Sequence, residues 1–89
     1  MPKRTDKNQA EIIAGLRELG ASIQDLHTVG HGCPDILVAY RWQLYLMEIK
    51  SVDGRMTPAE IVWRDNWRGS YYIVHTLEEA IEIITNGDE

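Results

Sequence analysis

The stretch that decides the fold is Pro34-Asp35-Ile36-Leu37-Val38-Ala39-Tyr40-Arg41-Trp42-Gln43-Leu44-Tyr45-Leu46-Met47-Glu48-Ile49-Lys50. Two strand-length apolar runs, 35–40 and 43–50, flank Arg41-Trp42, and this predicts a hairpin with those two residues as its turn. Tyr40 then faces Gln43, and the same register sets Asp35 opposite Glu48. Cross-strand neighbours on one face have Cβ atoms about 4.5–5.5 Å apart. Lys50, two residues beyond Glu48, shares that face. Leu37, Ala39, Leu44 and Leu46 share it too, so the face is apolar near the turn and ionic at its far end.

Two carboxylates so close, without a mate, repel until one takes up a proton. A divalent cation resolves the conflict, because Mg²⁺ prefers oxygen ligands and is held by one or two carboxylates together with waters and substrate phosphates. Two acids and an ammonium on one patch therefore point to metal-assisted hydrolysis of phosphodiesters. The bland alternative is a Glu48–Lys50 surface pair, with Asp35 an ordinary turn residue after proline. The matched register favours the first reading.

The composition frames this. Eighty-nine residues make one domain, 1–89, able to enclose a single core, with flexible tails expected at 1–7 and 86–89. No apolar run approaches the 18 or so residues of a membrane span, and the start Met1-Pro2-Lys3-Arg4-Thr5-Asp6-Lys7 lacks the apolar segment of a signal peptide. The single cysteine, Cys33, excludes an internal disulfide framework and suits a reducing, cytoplasmic setting. His27, His31 and His75 are scattered and form no metal-ligand spacing. The net charge of −5 argues at first against nucleic acid. The last twelve residues, however, carry five acids and no base, and the remaining 77 carry nine of each. Lys3, Arg4, Lys7, Arg41, Lys50, Arg55, Arg64 and Arg68 then leave a body able to neutralise phosphates.

Elsewhere, Ile12, Ile13, Leu16 and Leu19 predict an amphipathic helix over 8–19, ending before Gly20. A short polar strand is expected over 22–27, at a sheet edge. Gly30 and Gly32 let the chain bend ahead of Asp35, and Asp53-Gly54 is a turn. Thr57-Pro58-Ala59-Glu60 opens a second helix with a capping box, reaching Trp67 or Arg68 and stopping at Gly69. A strand over 71–75 and a helix capped by Thr76 complete the order α-β-β-β-α-β-α.

A helix, a hairpin bearing Gly32-Cys33-Pro34-Asp35 and Glu48-Ile49-Lys50, then a helix and a strand, resembles the PD-(D/E)XK nuclease superfamily. More narrowly the chain resembles stand-alone VRR-NUC domains of phages and bacteria, which are similar to Holliday junction resolvases. The resemblance runs from Glu11 to about Val74. It implies a restriction-endonuclease-like mixed sheet flanked by helices, and a Mg²⁺- or Mn²⁺-dependent endonuclease acting on branched DNA such as four-way junctions. It also implies a homodimer in the cytoplasm of a bacterial or phage-infected cell. Flaps, nicks or plain duplex as substrate, or a non-catalytic DNA-binding module, are the alternatives. By resemblance Asp35, Glu48 and the backbone carbonyl of Ile49 would hold the metal, and Lys50 would orient the attacking water. Glu11 would reach a water or the metal from the first helix, or else close a capping box with Asn8. The family usually shows glutamine where this chain has Glu60, which is either a helix cap or a third acid of the site. Trp63 and Trp67, spaced i, i+4, are read as core for one of the pair and as a self-association surface for the other, with Trp42 at the hairpin tip.

Overall fold

A computed structural model describes residues 4–86. Its elements are α1 (Arg4–Leu19), β1 (Ser22–Asp25), β2 (Ile36–Tyr40), β3 (Gln43–Ile49), α2 (Pro58–Asn66), β4 (Tyr72–Val74) and α3 (Leu77–Asn86). This is the expected order. The four strands form one sheet in the order β1-β2-β3-β4. β1, β2 and β3 pair antiparallel, whereas β4 runs parallel to β3 after the crossover through α2. The sheet is therefore mixed, and the short polar β1 is an edge strand, as its composition implied.

The hairpin has the register read from the sequence, with Tyr40 opposite Gln43, Leu37 opposite Leu46 and Ile36 opposite Met47. Period-two alternation then divides the sheet into two faces. Ile36, Val38, Tyr45, Met47 and Ile49 are buried against Ile12 and Leu16 of α1 and Ala80 and Ile84 of α3. That face is the core. The opposite face carries Leu37, Leu44, Leu46 and Glu48 and faces the loops around Cys33 and Ser70 and α2, none of whose residues is buried. An ionic site can form there without disturbing the core.

Several element boundaries differ from expectation. α1 starts at Arg4, not at residue 8, because a run of polar helix formers needs no apolar stripe to extend a helix already anchored by Ile12 and Leu16. Asn8 is thus a helix-interior residue, and its amide donates to the His75 carbonyl (3.4 Å), which removes the Asn8–Glu11 capping box. β1 and β4 are both shorter than predicted. Of the two terminal segments, residues 1–3 and 87–89 lie outside the described residues, whereas 4–7 and Asn86 are helical backbone. Neither Trp63 nor Trp67 enters the core; they stack on each other at 4.7 Å on the outer face.

The hairpin turn has an unusual composition. Arg41 and Trp42 have φ of 54° and 67°, the pair of positive values that a type I′ turn demands and that Asn-Gly normally supplies. The left-handed conformation costs an L-residue about 1–2 kcal/mol, more than the conformational entropy that glycine loses there. Trp42 is fully exposed, so replacing it sacrifices no burial. Trp42→Gly is therefore expected to raise stability by about 0.5–1 kcal/mol, roughly 2–8 °C in Tm for a domain of this size. A lower Tm in a thermal melt would contradict this reading of the turn.

Candidate active site and metal centre

The far end of the β2–β3 hairpin departs from a regular ladder at Asp35. Its amide donates to the Met47 carbonyl at 3.1 Å, although Met47 already pairs with Ile36. Two residues of one strand thus face one of the other, the arrangement of a β-bulge, which redirects side chains at the end of a pairing. Relieved of ladder geometry, the Asp35 carboxylate turns across to β3, where its Oδ2 accepts the Ile49 N–H at 2.7 Å.

Glu48 is the only charged residue buried among the described residues, with 2 % of its surface exposed. Its Oε2 lies 3.6 Å from Lys50 Nζ, and its Oε1 has no hydrogen-bond partner. A buried carboxylate oxygen without a donor is costly. Burial, with the charges of Asp35 and Glu60 added, pushes the Glu48 carboxyl up to about 8. Burial also raises Asp35, against the opposing pull of the Ile49 N–H and of Lys50. The pair thus favours a shared proton in place of two charges.

Glu60 performs both roles that its sequence position suggested. Its N–H donates to Thr57 Oγ1 (3.2 Å), while its Oε1 accepts the Thr57 N–H (2.9 Å), completing the capping box of α2. The same Oε1 lies 2.8 Å from Lys50 Nζ. Burial works against ionising both groups, but their mutual contact wins: Lys50 is held above, and Glu60 below, its ordinary range.

Gly32 sets how close α2 lies to this centre. At φ +84°, a Cβ built on it would stand 2.3 Å from the Ala59 carbonyl oxygen. The loop before Asp35 can therefore press directly onto the first turn of α2, which holds Glu60 over Lys50. Cys33, half-buried beside the acids, has its thiol raised by burial and by the Glu48 and Asp35 charges, so it is no thiolate nucleophile.

Asp35, Glu48, Lys50 and Glu60 are thus brought together. Glu11 is exposed on α1 and makes no hydrogen bond or ion pair with them among the described residues. Sequence reasoning missed Tyr71. Its buried hydroxyl lacks a partner, and burial with the Glu48 and Glu60 charges drives it to about 12. Its ring lies 6.1 Å from that of Trp63. Only the parallel pairing of β3 with β4 places it there, and no local pattern encodes that pairing.

Among the described residues, no three His, Cys, Asp or Glu side chains are arranged to hold a metal ion. A cation here would depend on two carboxylates, the Ile49 carbonyl and waters, a donor set suited to Mg²⁺ or Mn²⁺ and not to zinc. The partnerless Glu48 Oε1 and the raised pKa of its carboxyl fit such a group.

The comparisons with known proteins agree with the fold. A solved structure described as a VRR_NUC domain matches with a TM-score of 0.73, covering 91 % of this chain and 94 % of its own, at 18 % sequence identity. The chain has the VRR-NUC fold. No family model matches the sequence, and no curated protein matches it.

The raised pKa of Glu48 has a consequence for stability. Its folded-state value of about 8 lies above the ordinary value of 4.5, so folding favours the protonated form. The stability so gained is present at low pH and is lost as pH rises through the window from about 4.5 to about 8. Metal-free protein should therefore show a Tm that falls from pH 5 towards pH 8, and Glu48→Gln should flatten the slope. An unchanged slope in Glu48→Gln would refute the assignment. A second outcome concerns the loop: Gly32→Ala should destabilise by about 2 kcal/mol or more in denaturant unfolding, since the added methyl meets backbone at a strained φ.

Proposed function

We propose that this protein is a metal-dependent endonuclease that hydrolyses DNA phosphodiesters at Asp35, Glu48 and Lys50, preferring branched DNA such as four-way junctions. The observation that carries the reading is the pairing of Asp35 with the buried, half-satisfied Glu48 beside Lys50 on the outer face of the hairpin. A fold shared with a VRR_NUC domain supports the same class of activity.

Asp35, Glu48 and the Ile49 carbonyl would hold Mg²⁺ or Mn²⁺, which supplies Lewis acidity at the scissile phosphate and a bound water ionised near neutral pH. The protein's own groups supply the rest. Lys50 keeps its charge, because Glu60 and Glu48 hold its pKa up. It donates to the attacking water or to a non-bridging phosphate oxygen as negative charge builds there. The Ile49 N–H fixes the Asp35 carboxylate in orientation. The capped first turn of α2 fixes Glu60 and, through it, the lysine. Water adds to phosphorus and gives up a proton, the bond to one bridging oxygen breaks, and that oxygen takes up a proton to leave as a hydroxyl end opposite a 5′ or 3′ phosphate end.

A homodimer would present two such centres to two strands of a junction. The outer face supports this: an open apolar hollow of about 450 Å³ lies between β2–β3 and α2, lined by Leu37, Leu44, Leu46, Trp63 and Trp67. Leu44 and Trp67 are exposed beside it.

Incubating the protein with a labelled four-way junction and Mg²⁺ or Mn²⁺ should give paired symmetric cuts. Glu48→Ala and Lys50→Ala should each lower the rate by about 10² or more, in line with the loss of one transition-state stabiliser. Equal cleavage by wild type and both variants would refute the assignment, and cleavage of flaps or plain duplex alone would transfer the activity to those substrates.

A further inference from the structure

At the end of the hairpin away from the acids, two residues occupy a place that neither suits. Arg41 and Trp42 both have positive φ, and the Trp42 indole is fully exposed, at 101 % of its reference area. An apolar ring so placed stabilises nothing in the fold, and its conformation costs energy that glycine would avoid. Side chains kept at such a cost, on a rigid tip, serve recognition more often than folding. The Arg41 guanidinium lies 5.1 Å from the centre of the Tyr40 ring. Beside the tip, a hollow of about 300 Å³ is lined by Gly20, Ser22, Ala39, Tyr40, Arg41 and Trp42.

We infer that the hairpin tip is a nucleic-acid contact, in which Trp42 stacks on an unpaired or unstacked base and Arg41 meets the adjoining phosphate. A two-stranded ribbon is narrow enough to enter a groove, aromatic rings receive bases without regard to sequence, and apolar wedges at the ends of such elements part base steps. The hollow gives an everted base somewhere to lie. A protein partner is the poorer fit, since one ring flanked by Arg41 and Gln43 falls far short of the roughly 800 Å² per partner of a stable interface. The inference rests on the nuclease reading for its DNA substrate but on none of its catalytic groups. The tip stands about 20 Å from Asp35, six residues along an extended strand. Trp42 would thus mark a branch or unpaired site at a fixed distance from the cut, which gives the protein a ruler for DNA shape.

The test compares binding of two labelled DNAs, a duplex and the same duplex with a short unpaired bulge, by fluorescence anisotropy in EDTA, so that metal and cleavage play no part. Wild type should favour the bulged DNA. Trp42→Gly should weaken that binding by about tenfold while changing duplex binding little, and Trp42→Phe should restore most of it. Because the glycine variant is expected to melt no lower than wild type, its loss cannot be laid to unfolding. Equal binding of bulged DNA by wild type and Trp42→Gly would overturn the inference, as would a loss of self-association in Trp42→Gly without any loss of DNA binding. The two readings fail separately: bulge binding through Trp42 without cleavage of any DNA would sink the nuclease alone, and cleavage with Trp42-independent binding would sink the tip alone.

Discussion

A carboxylate buried beside a second carboxylate governs this molecule. Glu48 stands in the middle strands of the sheet, shielded from water, with Asp35 as its neighbour and one oxygen bonded to nothing. No ordinary fold gains from that arrangement. A shared proton and the ammonium of Lys50 offset part of that cost, and on the proposed reading a cation held between the acids would offset the rest. The contacts around the acids hold them in place: the bulge frees Asp35 from the ladder, the Ile49 N–H aims it, and the capped turn of α2 stations Glu60 over Lys50.

The two faces of the sheet divide the labour. Hydrophobic burial of Ile36, Val38, Met47 and Ile49 against α1 and α3 supplies the driving force for folding, while the outer face is left loosely covered by a helix with no buried residue. Such a division allows a destabilised, charged centre to sit on a small domain, because the strain is localised where little packing depends on it. The cost shows at Glu48 and Tyr71, whose buried oxygens lack partners, and not in the core.

Much of this was legible in the sequence, for reasons tied to particular residues. Alternation over 35–40 and 43–50 has a period of two, so a single turn set the register from Tyr40–Gln43 to Ile36–Met47. The expected next pair, Asp35 opposite Glu48, is replaced by a bulge in which Asp35 also faces Met47, and the two acids come near each other through their side chains instead. The turn at Arg41-Trp42 was found from that symmetry, in spite of a composition that Asn-Gly logic would reject. Thr57 and Glu60 announced their cap because a capping box spans only four residues. The signals that failed are those made by distant chain. The contact of Glu60 with Lys50, the approach of Gly32 to Ala59, and the placement of Tyr71 all depend on the crossover from β3 through α2 to β4. Thr76 gives a mixed case: its hydroxyl accepts the Glu79 N–H as a cap should, but the Glu79 carboxylate turns to the His75 N–H instead of closing the box.

Calorimetric titration of the metal-free protein with Mn²⁺ tests whether Asp35 and Glu48 form a cation site. Saturable binding that is lost in Asp35→Ala and in Glu48→Ala, and that releases protons near pH 7 as Glu48 gives up its hydrogen, is the predicted result. Absence of binding in the wild type, or binding untouched by either substitution, would contradict it.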